Sequence, residues 1–156
     1  MKLITKASVA FALVLSTSIA NADVAKSEKH AQKSTELRQS IFSLLGSNMG
    51  PLGGMAKGKI DFDVKAIEKH ALRINQLSYM IADYTRTDTS TFNVKTDTLN
   101  KVWQETDLFA EKIKALNESS ANLMKVAKTG DEGAIKKAIG GVGKSCGGCH
   151  DDFKKD

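Results

Sequence analysis

The chain is poor in several residue types, and each scarcity argues against a class of protein. Only two of its 156 residues are cysteine and three are histidine, so a zinc site, which needs about four ligands, is hard to assemble. There is one proline, Pro51, and few alternating β-branched runs, so helical periodicity dominates. Without a Lys/Arg run interleaved with aromatic residues, nucleic-acid binding is unsupported. No stretch after residue 22 approaches transmembrane length.

Residues 1–22 have the pattern of a cleavable signal peptide. A start with two lysines precedes a short apolar run, and Ala20-Asn21-Ala22 provides a small-x-small cleavage site. The apolar run is too short to span a bilayer. We expect cleavage after Ala22, which leaves a single domain over residues 23–156 and no membrane segment. Loss of the two lysines lowers the formal charge from +5 to +3.

Both cysteines stand in one short motif, Cys146-Gly147-Gly148-Cys149-His150, whose spacing is typical of c-type haem attachment. Residues three apart share a helix face, so both thiols can form thioethers with one porphyrin. His150 follows at once and can supply an axial ligand to the iron. Bacterial haem attachment of this type takes place outside the cytoplasm. The motif therefore agrees with the signal peptide, and we expect a periplasmic protein with one covalent haem.

Two other interpretations of the motif remain open. A disulfide needs only the two cysteines and leaves His150 without a role. A metal site would have to add His30 or His70, and we expect both of these on the surface. A thioredoxin-like redox site would need a strand-to-helix setting, for which too little chain follows Cys149.

Apolar residues at helical spacing predict four helices. The first covers the region of residues 34–45 and fails at 46–54, where glycines and Pro51 accumulate. The second begins at Asp61 or Asp63 and ends near Tyr84, before a polar loop at 85–98.

The third predicted helix covers residues 99–128 and is closed by Gly130. The fourth begins near Asp131 and carries the haem motif on its apolar face. We therefore expect an all-α, antiparallel four-helix bundle with the covalent haem between facing helices.

The chain resembles the cytochrome c′ family over the whole of residues 23–156. The resemblance rests on Leu37-Arg38-Gln39-Ser40-Ile41-Phe42, on Val102-Trp103 with Phe109, and on the run from Val142 to Lys154. Members of this family are exported four-helix bundles, usually homodimers. Their five-coordinate, high-spin haem iron binds NO and CO.

The resemblance implies roles for individual residues. It makes His150 the proximal iron ligand, with Cys146 and Cys149 as the thioether anchors. Arg38 corresponds to an arginine near the haem propionates, and Phe42 to the distal residue, which is often leucine in the family.

One further implied position lies after the motif, where Lys154 corresponds to a basic residue beside the proximal imidazole. Trp103 is expected in the core. If Phe42 is only core packing, Ile41 and Leu45 are the next distal candidates on the same helix.

The expected function is binding of diatomic gases, NO and CO, with NO sequestration or detoxification as the role. The alternative is a low-spin electron-transfer cytochrome that meets a redox partner protein and uses a distal methionine. Met49 lies seven residues from Phe42, about 10 Å along a helix, which is too far to take the distal position of Phe42. Met80 and Met124 remain as candidate distal ligands. No distal histidine or acid is apparent for acid–base catalysis, so the chain is not expected to be an enzyme.

Overall fold

The computed structural model describes residues 23–155. The predicted signal peptide and Asp156 lie outside the described residues. The elements follow in the order β1 (Asp23–Val24), α1 (Glu28–Ala56), α2 (Val64–Thr85), β2 (Thr87–Asp88), α3 (Lys101–Gln104), α4 (Thr106–Ala127) and α5 (Glu132–Phe153). None of the described helices is both long enough and apolar enough to cross a membrane.

The four long helices, α1, α2, α4 and α5, form the predicted bundle. Helix α2 packs against α1 and α4, and α5 closes the ring by packing against α4 and α1. Each helix sends at least one fully buried aliphatic side chain into the shared core, namely Leu52, Ile67, Leu123 and Ile135. Burial of such side chains, at about 1.5–3 kcal/mol each, is what stabilises a bundle whose helices are amphipathic.

Side-chain caps fix where three of these helices begin. The Asp63 carboxylate accepts the backbone N–H groups of Lys65 and Ala66 at 2.9 and 3.1 Å, so Asp63 rather than Asp61 starts α2. Asp131 accepts the N–H of Ala134 at 2.9 Å, which confirms the predicted start of the haem-motif helix. Ser27 caps α1 in the same way. Each cap satisfies a donor that the first turn of a helix leaves free.

Helix α1 does not end in the glycine-rich stretch, and that prediction was wrong. It continues through Pro51 to Ala56. Leu52 and Met55 lie in this extension and are buried, so core packing outweighs the poor helix propensity of glycine and proline. The side chain of Ile60 folds back onto Gly54, where a Cβ atom would meet it at 3.2 Å.

The third predicted helix is interrupted. Glu105, at φ −115° and ψ 54°, separates the single turn α3 from α4. The indole N–H of Trp103 donates to the carbonyl of Thr85 at 2.8 Å, which holds α3 against the end of α2. The spacing of apolar residues along the chain cannot predict this tertiary hydrogen bond.

The connection of residues 86–100 is not a free loop. Its strand β2 pairs in parallel with β1, and Ala25 N–H donates to the Asp88 carbonyl at 2.9 Å. At its far end, Thr98 forms an antiparallel bridge with Lys154. The 86–100 connection therefore lies against both ends of the described chain.

Candidate cofactor site

A cavity of about 670 Å³ opens inside the bundle. This volume falls within the range of about 300–1,000 Å³ that is usual for ligand and cofactor sites. Helices α1, α4 and α5 and the 86–100 connection provide most of its wall, and the lining is largely apolar. Its aliphatic and aromatic lining residues include Leu45, Ile74, Ile81, Val102, Phe109, Ile113, Leu116, Val142 and Phe153.

The sequence motif lies in this wall. Cys146, Cys149 and His150 all line the cavity from the last turns of α5. Both cysteines are free and half-buried, and burial raises the pKa of each thiol, that of Cys149 to about 11. The thiols are therefore neutral near pH 7, and they face an apolar space rather than each other in a disulfide.

The two remaining histidines are placed elsewhere. The Nδ1 atom of His30 accepts the N–H of Lys26 at 3.1 Å, and Nδ1 of His70 lies 2.9 Å from Oδ1 of Asn48. Neither histidine lines the cavity. Among residues 23–155 there is no group of three His, Cys, Asp or Glu side chains placed to hold a metal ion. The zinc alternative thus lacks its further ligands in the part of the chain described.

Helix α1 contributes the wall that includes Phe42. The Phe42 side chain lines the cavity and keeps 37% of its surface exposed. Leu45 lines the cavity as well, whereas Ile41 is buried in the core and does not. Because α1 continues past residue 46, Met49 also reaches the cavity, next to Gly143 of α5. Sequence spacing places Met49 two turns from Phe42, but only the unbroken helix brings it to the same wall.

The other two methionine candidates do not share this position. Met80 is exposed on α2, and Met124 packs against the core. Neither lines the cavity.

Arg38 lies one turn before Phe42 but is not among the residues that line the cavity. Its side chain is 1% exposed, Nη2 donates to the hydroxyls of Thr35 and Thr89, and the guanidinium lies 5.3 Å from the centroid of the Trp103 ring. Burial lowers the pKa of Arg38, and the nearby Asp88 partly opposes this shift. Within the described chain, Nε and Nη1 have no hydrogen-bond acceptor.

Charged residues surround the motif end of the cavity. Lys154, which follows α5, and Lys112 of α4 both line it. Lys112 Nζ lies 2.6 Å from a carboxylate oxygen of Asp152, and this hydrogen bond lowers the pKa of Asp152 and raises that of Lys112. No sequence pattern pointed to Lys112, since its partner lies 40 residues away on another helix.

The residues present fit a covalently attached porphyrin. The cavity is large and apolar, two neutral thiols face it one turn apart, and an imidazole follows directly on the same wall. Together the fold and the site define a c-type haem protein built on a four-helix bundle.

Comparison with known proteins agrees with this class. The sequence model of the family described as Cytochrome C′ matches residues 33–154. Cytochrome c′ of Cereibacter sphaeroides is 35% identical over 144 residues, which cover 91% of this chain and 96% of that protein. The chain belongs to the cytochrome c′ family, whose members bind one c-type haem.

Solved structures show the same fold. Cytochrome c prime from Shewanella frigidimarina has a TM-score of 0.75 and 35% identity, with 81% of this chain and 97% of that one covered. A ferrous variant of cytochrome c prime from Alcaligenes xylosoxidans with bound NO has a TM-score of 0.72 and 26% identity, covering 81% of this chain and 96% of the other.

Proposed function

We propose that this cytochrome c′ binds the diatomic gases NO and CO, and that it does so in the periplasm after removal of residues 1–22. Cys146 and Cys149 would hold the haem through thioethers, and His150 would ligate its iron. When bound, the haem supplies an iron with one vacant position for a gas. The relative that was solved with bound NO supports this ligand class. Sequestration or detoxification of NO is the physiological role that we propose.

The observation that carries the proposal is the α1 wall of the cavity. Phe42 and Leu45 present apolar surface there, and the amide of Gln39 is already engaged, since Nε2 donates to the Lys95 carbonyl at 3.1 Å. Stable O₂ binding relies on a distal hydrogen-bond donor, whereas NO and CO bind without one. The Ser43 hydroxyl, next to Phe42, is the one remaining side-chain donor that α1 places in this wall, so the wall is largely rather than wholly apolar.

Arg38 is proposed to meet a haem propionate. A buried guanidinium whose Nε and Nη1 donate to no acceptor in the described chain is costly unless an acceptor approaches it, and a carboxylate is the acceptor that guanidinium prefers. Thr35 and Thr89 already hold the side chain in place through Nη2. Lys154 is proposed to lie on the His150 side of the haem, since both residues line the cavity.

The alternative function is electron transfer with a redox partner protein. One observation favours it: the thioether of Met49 lines the same cavity as the motif. The first function is preferred because Phe42 and Leu45, not Met49, occupy the turns of α1 that follow Arg38, where the family places its distal residue.

A homodimer is proposed through the outer faces of α1 and α2. Large apolar side chains are exposed there, on α1 at Leu37 and Leu44 and on α2 at Leu72, Tyr79 and Met80. Exposed apolar surface at helical spacing on two adjacent helices suits a two-fold, self-complementary contact.

Absorption spectra of the purified ferric and ferrous holoprotein test the function. A five-coordinate, high-spin spectrum that changes on addition of NO or CO is the expected result. A low-spin spectrum in both oxidation states, insensitive to CO, would favour the electron carrier with Met49 as the ligand to examine first.

A further inference from the structure

The Lys112–Asp152 ion pair stands out from the other charge pairs of the described residues. Its side chains are 26% and 32% exposed, whereas the other five pairs have side chains that are 39–75% exposed. It links α4 to α5, with Lys112 Nζ 2.6 Å from a carboxylate oxygen of Asp152. Asp152 follows His150 by two residues. A partly buried pair with short, direct geometry restrains its helices more than a solvated surface pair does.

The turn that this pair restrains is weak on its own. Gly147 and Gly148 lie in it, and glycine is about 1 kcal/mol less favourable than alanine in a helix. A Cβ atom on Gly147 would contact nothing within 4 Å, and on Gly148 the nearest contact would be Lys112 Nζ at 4.0 Å. Lys112 thus covers the glycine turn that carries Cys149 and His150.

The end of α5 is also held by contacts other than the ion pair. Leu99 N–H donates to the Phe153 carbonyl at 2.9 Å, and Lys155 N–H donates to the Asp97 carbonyl at 2.8 Å. The Phe153 ring packs edge-on against Phe109 of α4, with centroids 5.0 Å apart. These contacts hold residues 153–155, whereas the ion pair acts nearer to His150, at Asp152.

The His150 ring has no comparable support of its own. Metal-binding histidines usually donate their second N–H to a carboxylate or carbonyl that sets the ring direction. Among the hydrogen bonds of residues 23–155, none reaches the His150 ring, and only its backbone carbonyl accepts one, from Lys154. The direction of this imidazole must therefore come from the backbone of its turn.

We propose that Lys112 and Asp152 are positioning residues for His150: their ion pair sets the direction of the imidazole and so the strength of the iron–histidine bond. This rests on the proposed role of His150 as axial ligand. Loss of the pair lets the glycine turn fray, which tilts the imidazole and weakens the bond.

The test is the iron–histidine stretching band in resonance Raman spectra of the ferrous holoprotein. We expect Lys112→Met and Asp152→Asn to shift this band to lower frequency and to broaden it. Lys112→Arg, which keeps the positive charge, should give the band of the wild-type protein. Lys136→Met is the matched control, because Lys136 makes an equally short 2.6 Å pair with Glu132 at the other end of α5. It should leave the band in place.

Haem content and far-UV circular dichroism identify a variant that has not folded. If Lys112→Met is such a variant, the test rests on Asp152→Asn, which keeps the side-chain shape. An unchanged band in a folded, haem-loaded Asp152→Asn protein overturns the positioning role while leaving the ligand assignment intact. Absence of the band from the wild-type ferrous protein overturns the assignment of His150 itself, and the positioning role with it.

Discussion

Replacing Phe42 with alanine tests the gas-binding site most directly. If its ring covers the vacant iron position, an incoming ligand has to displace it, at a cost of about 1–3 kcal/mol in strain and lost contacts. Each 1.4 kcal/mol corresponds to about tenfold in rate, so Phe42→Ala should speed CO association by about 10- to 100-fold.

The same substitution lowers stability. Truncating a fully buried phenylalanine costs about 3–5 kcal/mol. Phe42 packs in the wall of the cofactor cavity, so Phe42→Ala should lower the unfolding free energy of the holoprotein by about 3 kcal/mol, the lower end of this range. Chemical denaturation of the holoprotein measures this change, and flash photolysis or stopped flow measures CO association.

Phe62→Ala is the matched control. Phe62 is a half-buried ring that packs against the core and lies outside the cavity lining. It should lower stability and leave CO association unaltered. If Phe42→Ala gives this same pattern, Phe42 is ordinary core, the displacement argument fails, and Leu45 becomes the next distal candidate.

Further predictions concern the haem, the distal ligand and the dimer. Intact mass should equal the chain from Asp23 plus one haem, with no free thiol, and a haem-free mass would contradict the attachment. His150→Ala should lose the native absorption spectrum and most of the holoprotein. Phe42→Met places a sulfur at the distal wall and should move the spectrum toward low-spin, so an unchanged spectrum would place Phe42 away from the iron. Tyr79→Asp should weaken dimerisation by about 30-fold or more, as loss of a 2 kcal/mol hot spot would, in sedimentation at micromolar concentration.

Local signals predicted most of the bundle and the motif. Asp131 and Gly130 marked helix boundaries correctly, and Asp63 was one of the two residues predicted to start α2, because caps and left-handed glycines act within a few residues of sequence. The haem motif was equally local, since its three reactive residues fall within five positions.

The errors arose where distant residues decide the local structure. Glycines and Pro51 predicted the end of α1, but burial of Leu52 and Met55 keeps it helical. That continuation brings Met49 to the cavity, a position that a helix ending near residue 46 could not give it.

Long-range polar contacts were equally beyond sequence reasoning. The partners of Arg38 include Thr89, 51 residues away, and the Trp103 ring. Nothing in the spacing of these residues distinguishes this buried guanidinium from a solvated surface charge. Only the tertiary fold decides whether the Arg38 side chain is buried or solvated.

The 86–100 connection has a consequence for engineering. It pairs in parallel with β1, at residues 23–25, and forms an antiparallel bridge with residues 153–155 through Thr98 and Lys154. One surface segment therefore makes backbone hydrogen bonds to both ends of the described chain. A reporter inserted there would detach two distant stretches at once, one of them beside His150. The turns at Gly58 and Gly130 have positive φ and belong to neither of these strand pairings. They are the places where this bundle should accept a fluorescent label or an inserted domain.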